Sequence, residues 1–310
     1  MIDTHAHLDF PEFDEDREEV IRRAFDNGVK AIVNIGVDLE RSRKSIEIAK
    51  KHEGVFASVG LHPDFFNKVK KEFSIFNFQF SNNSKIKKLL NKLRKLARNQ
   101  KVVAIGETGL DYFNHMNEPV TGAQKGNQKA GFLAQIEIAK ELKLSVIVHC
   151  REAWSDLYEI IKNFQFSIFP AAAGPRQGGG NFQTNPNGQI LKNKKISNTK
   201  FVLHCYSGEK KDTEKFLKLP NIYFSFSGNI TYPKPAERAE KLAEAVKMIP
   251  LDRIMLDSDA PFLAPQCRRG KRNEPMLIRH IADKIAEIKG ISAEEVEKAT
   301  DKNAEKFFGI

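Results

Sequence analysis

The chain has 310 residues, 50 Lys and Arg against 40 Asp and Glu for a net charge of +10, and is 41% hydrophobic and 9% aromatic. That balance excludes a disordered or collagenous chain, and the odd set of three cysteines, Cys150, Cys205 and Cys267, without CxxC spacing excludes a disulfide scaffold and suits a reducing compartment. No stretch approaches the roughly 20 apolar residues that a membrane-crossing helix needs, and Met1 leads straight into Ile2-Asp3-Thr4-His5, so the expectation is a soluble, cytoplasmic protein.

Short β-branched runs alternate with amphipathic stretches of helical period along the whole chain. A strand at 1–5 precedes a helix at 15–27, with Val20, Ile21, Ala24 and Phe25 on its apolar side. Strands follow at 31–36, 55–60, 102–106, 144–149, 201–204, 222–227 and 253–256, separated by helices at 39–52, 86–98, 128–141, 154–163, 211–219 and 236–248. Two further helices, 275–288 and 293–308, close the chain. Parallel strands need helical crossovers, and eight such repeats predict an α/β fold of the TIM-type (β/α)8 class, one domain over 1–310; an open doubly wound sheet is the alternative.

Two stretches break the rhythm, at about 65–100 after strand 3 and about 165–200 after strand 5. Residues 67–101 hold eleven Lys and Arg and one acid, Glu72, while 164–200 hold five Lys and Arg and no acid, so a mildly acidic body carries two basic insertions. They are expected either to attract a polyanion or to be solvated. Phe73, Phe76, Phe78 and Phe80 read more simply as a satellite core or covering strand than as base-stacking residues, and the Gly/Pro/Asn-rich second insertion reads as a mobile loop.

In a barrel the chemistry gathers at the C-terminal ends of the strands. There stand His5 and His7, His62, Glu107, His149 and Arg151, His204, and Asp259. His5 and His7, two apart on one strand, face one side and can close on one ion. Five of the eight histidines fall at strand ends; His52, His115 and His280 do not and are expected at the surface. Four histidines joined by Glu107 and Asp259 exceed one tetrahedral zinc site and suit two cations sharing a carboxylate, with Glu107 as the better bridge and Asp259 able to take a water's proton. Asp257, on the same face as Asp259, is expected to orient a histidine, with replacement of Asp259 as a ligand the alternative. Cys150 and Cys205 should turn away from the mouth as buried small hydrophobes, and Trp154 should pack in the core. Lys271 and Arg272 are expected to be solvated.

The words MIDTHAHLD, GLHPD, IGETGLDY, QIEIAKELKLSVIVHCREA, VLHCYSG, LDSDAP and RRGKRNEP, in this order, resemble the TatD-like metal-dependent hydrolases, or TatD-type deoxyribonucleases, of the amidohydrolase superfamily. The resemblance implies a TIM-like barrel, two divalent cations (Mg²⁺, Mn²⁺ or Zn²⁺) and hydrolysis of phosphodiester bonds in nucleic acid, single-stranded DNA first of all and often from the 3′ end. It implies His5, His7, Glu107, His149, His204 and Asp259 as metal ligands, with Glu107 and Asp259 catalytic and His62, Arg151 and Arg269 near the substrate. Asp257-Ser258-Asp259 departs from the family's usual Glu-Thr-Asp by a shorter first arm. The basic insertions, the glycines at 178–180 and the expanded 114–127 stretch bear on substrate range and access. The same barrel also permits a hydrolase of a small ester, lactone or amide, and a nucleic-acid-binding protein with a vestigial site is a third reading. No obligate protein partner and no membrane association is indicated.

Overall fold

The computed structural model describes residues 1–68, 84–113, 119–166 and 197–310. Phe73, Phe76, Phe78, Phe80, His115, the glycines at 178–180, residues 69–83 of the first insertion and most of the second lie outside the described residues.

Eight parallel strands run β1 (Ile2–Ala6), β2 (Ala31–Ile35), β3 (Val55–Val59), β4 (Val102–Asp111), β5 (Ser145–Arg151), β6 (Phe201–Leu203), β7 (Ile222–Phe226) and β8 (Ile254–Leu256), each paired with its neighbours in chain order. The ring closes between β1 and the segment after β8: an Ala6–Ala260 bridge is flanked by His7 N–H donating to the Ala260 carbonyl (2.7 Å) and Asp259 N–H donating to the His5 carbonyl (2.8 Å). This is the expected (β/α)8 architecture.

Around it stand α1 (Arg17–Asp26), α2 (Leu39–Lys51), α3 (Pro63–Asn67), α4 (Ser84–Leu96), α5 (Gly122–Leu142), α6 (Trp154–Gln165), α7 (Lys210–Leu217), α8 (Ala236–Met248), α9 (Ile278–Lys289) and α10 (Ala293–Phe308). Helix α5 begins six residues before the predicted 128 because Thr121 and Gln124 form a reciprocal capping box that carries the helix through Gly122 and Gly126.

Alternation along the strands sorts their apolar residues into two buried groups. Ile32, Val148, Leu203, Phe224 and Leu256 pack with the helices, whereas Val33, Ile35, Ile147, Val202 and Met255 pack together with Phe307 and Phe308 of α10. Each such Phe or Ile side chain contributes roughly 1.5–3 kcal/mol by leaving water. Trp154 meets Tyr206 and Phe216 at ring-centroid distances of 5.0 and 6.2 Å and is core packing, as expected. Cys150 is buried in the outer group, but Cys205 is only partly buried, and its Sγ accepts from Asn229 (3.5 Å).

Arg272 is not solvated: its guanidinium forks onto Asp16 (2.7 and 2.6 Å), donates to the Glu12 carbonyl (2.6 Å) and lies over the Phe13 ring. Lys271 is exposed.

Candidate active site

Position 149 follows Ile147 at the next alternate place on β5, which sets its imidazole above the inner apolar layer. Irregular register between Asp3 and Ala6 in β1, and between Ile105 and Thr108 in β4, re-aims the side chains at both strand ends. Strand β4 continues five residues beyond the predicted 106, pairing Gly109 with His149 and Asp111 with Arg151. Gly109 has φ +148°, and a Cβ there would lie 2.0 Å from the His149 carbonyl oxygen, so only glycine lets the two strands approach.

The six predicted ligands come together around Glu107, which is buried. On one side, Glu107 Oε2 lies 3.6 Å from His5 Nε2 and 3.9 Å from His7 Nε2; Asp259 Oδ1 lies 3.7 and 3.5 Å from the same two atoms, which are 3.3 Å apart. On the other side, Glu107 Oε1 is 2.7 Å from both His149 Nδ1 and His204 Nε2, themselves 3.3 Å apart, and 3.9 Å from His62 Nε2. The His5 and His204 rings stack at 4.0 Å and 9°, joining the two halves.

The spacings of the first set fit a cation, whereas Glu107 Oε1 stands at hydrogen-bond distance from His149 and His204. Donors about 2.1 Å from a central ion in tetrahedral array stand about 3.4 Å from one another, close to the 3.3–3.9 Å separations of the first set. Mixed imidazole and carboxylate donors suit Zn²⁺ or Mn²⁺.

Glutamines of α5 hold the strand ends in place. Gln135 Oε1 accepts from Leu61 N–H (2.8 Å) while its Nε2 donates to the Leu61 carbonyl (3.0 Å) and Thr108 Oγ1 (2.6 Å), pinning the residues beside His62 and Glu107. Gln128 does the same for the Asp111 backbone, at 2.8 Å to both N–H and carbonyl. A carboxylate whose role the sequence did not reveal, Asp111, meets His149 Nε2 at 3.0 Å and fixes its ring. The polar positions of α5 facing a strand carried a signal; the meeting of Asp111 with a histidine 38 positions away carried none.

Asp257 does not orient a histidine. Strand β8 ends at Leu256 and Asp259 has φ +54°, so alternation fails; Asp257 instead accepts from Cys205 N–H (3.0 Å) and from the Ser225 and Ser227 hydroxyls, holding the backbone next to His204. His62 caps α3 through Nδ1, which accepts from Asp64 N–H (3.3 Å). Arg151 lies over the Phe113 ring at 3.4 Å and Arg269 over Tyr232 at 3.9 Å; both are exposed, neither touches the carboxylates of the site, and each is held flat by its aromatic partner.

Charges in the cluster are interdependent. Burial opposes ionisation of Glu107, but His204, His149 and His5 hold its carboxyl well below the usual range. Burial likewise opposes a charge on His149, yet Asp111 and Glu107 outweigh it and push the imidazole up to about 10. Asp259, against the cost of burial, is held low by His7 and His5, and burial together with His204 pushes His5 down. Cations entering this site replace protons.

A parallel barrel with this donor set at its mouth defines a metal-dependent hydrolase. The family described as TatD related DNase matches residues 2–309, and the chain belongs to that family. It is 33% identical over its whole length to the "Uncharacterized metal-dependent hydrolase YabD" of Bacillus subtilis, covering 99% of that protein, and 28% identical to the "3'-5' ssDNA/RNA exonuclease TatD" of Erwinia amylovora, covering 100% of both chains. The crystal structure of the TatD homologue YjjV from Escherichia coli superposes with a TM-score of 0.76 at 26% identity, over 100% of this chain and 98% of that one. Among the described residues no helix is long and apolar enough to cross a membrane.

Proposed function

We propose that the protein is a 3′-end exonuclease acting on single-stranded DNA, with His5, His7, Glu107, His149, His204 and Asp259 holding two divalent cations of which Mn²⁺ or Mg²⁺ supports turnover. The observation that carries this reading is that the two oxygens of Glu107 face two separate donor sets. The name of the Erwinia relative supports the substrate class. When bound, such cations polarise phosphoryl oxygens and acidify a water molecule.

The chain's own groups do the rest. Asp259 Oδ1, kept ionised beside His7 and His5, accepts the proton from the attacking water. His62, beside Glu107 at the mouth, donates a hydrogen bond to a phosphoryl oxygen. Arg151 and Arg269 are presented as rigid forks for phosphates of the strand. Three unpaired thiols suit action in the cytoplasm, and nothing in this chemistry requires a protein partner.

Metal-stripped protein given Mg²⁺, Mn²⁺ or Zn²⁺ should shorten 5′-labelled single-stranded DNA stepwise, with the Asp259→Asn variant inactive. Intact DNA beside rapid hydrolysis of small esters or lactones would replace the nuclease reading with that of a small-molecule hydrolase.

A further inference from the structure

The geometry points to Phe262 as the platform on which the terminal nucleobase of the strand stacks; this inference rests on the nuclease reading above. Among the described residues Phe262 is the exposed large hydrophobic side chain, with 46% of its surface open. It stands three residues beyond Asp259. Its N–H donates to the Asp259 carbonyl (2.8 Å) and its carbonyl accepts from Asn273 Nδ2 (2.8 Å), so its backbone is anchored to the site.

The ring is kept outside the core by what lies behind it. Phe262 meets His7 edge-on at 6.1 Å and Phe10 at 5.9 Å, while Phe10 rests on His7 at 4.6 Å. The Arg41 guanidinium covers Phe10 at 4.4 Å and is itself fixed by the Asp9 carbonyl (2.9 Å) and carboxylate (3.3 Å). The place into which Phe262 would collapse is therefore taken. An exposed, backed aromatic ring beside His7 is in reach of the base whose phosphate occupies the Glu107–Asp259 side of the site. Every base has a π-face, so the platform selects for the presence of a terminal base and not for its identity.

The test uses the full chain with Mn²⁺ and two single strands, one ending in an ordinary 3′ nucleotide and one ending in an abasic residue. Phe262→Ala should raise KM for the ordinary strand roughly ten-fold with little change in kcat, because stacking is lost equally from ground and transition states. Phe262→Leu should behave like Phe262→Ala, and Phe262→Tyr like the wild type. On the abasic strand all four proteins should share one KM. An unchanged KM in Phe262→Ala, or an equal rise on both strands, overturns the platform. Wild-type protein that leaves both strands intact overturns the nuclease reading and the platform with it, whereas normal wild-type cleavage with no effect of the variant removes the platform alone.

Discussion

Ser258 donates to Asp3 twice, from its backbone N–H (2.9 Å) and from its hydroxyl (2.7 Å), and Asp3 also accepts from His5 N–H (3.2 Å). One buried carboxyl thus ties β1 to the segment after β8 and sets His5 against Asp259. Ser258→Ala leaves an Asp3 oxygen and the Ala260 N–H, now bonded to Ser258 Oγ at 3.1 Å, without partners. The expected loss is about 1–3 kcal/mol in urea unfolding, accompanied by weaker cation binding. An unaltered unfolding midpoint and unaltered affinity would contradict this role.

Asp111 touches no other ligand of the proposed set and acts through the His149 ring. Asp111→Asn should weaken the cation held by His149 and His204 by roughly 10–100-fold in competition with a chelating dye, while the fold persists. Equal affinities in the two proteins would show that His149 needs no such partner.

Arg272 ties the segment after β8 to the start of α1 through Asp16, and its neighbour Glu274 pairs with Arg23 of α1. Both partners are partly exposed, so solvent screening limits the pair, and Arg272→Met should cost about 1 kcal/mol at neutral pH. Arg272 holds the Asp16 carboxyl below its ordinary value of 3.8. A depressed carboxyl stabilises the fold above its unfolded value and loses that contribution as pH falls through the folded value. The gap between wild type and variant should therefore be level near neutrality and close below about pH 3.8. A gap that widens on acidification would exclude the assignment.

The three thiols should react separately. Cys267 is exposed, whereas burial pushes the Cys150 and Cys205 thiols up. An aromatic disulfide reagent should label one thiol rapidly in the native protein, and Cys267→Ser should remove that fast phase. Rapid labelling that survives the substitution would mean that Cys205 is open to solvent.

The barrel was legible because β-branched runs and 3.6-residue periodicity are local properties, and the histidines stood out because they cluster at strand ends. Element limits shifted where pairing or capping overrode local signals: β4 gained Glu107–Asp111 through its ladder to β5, and α5 gained its first turns from the Thr121–Gln124 box. Alternation does not place Asp257, because the strand has already ended at Leu256. The Arg272–Asp16 and Asp111–His149 pairings depend on residues far apart in the chain that only closure of the barrel brings together.

Crystals of the protein soaked in Mn²⁺ and measured at the manganese absorption edge test most directly whether two ions share Glu107. Two anomalous peaks about 3.5–4 Å apart, one on each side of the Glu107 carboxylate, are the predicted result. A single peak, or a pair that does not flank Glu107, would contradict it.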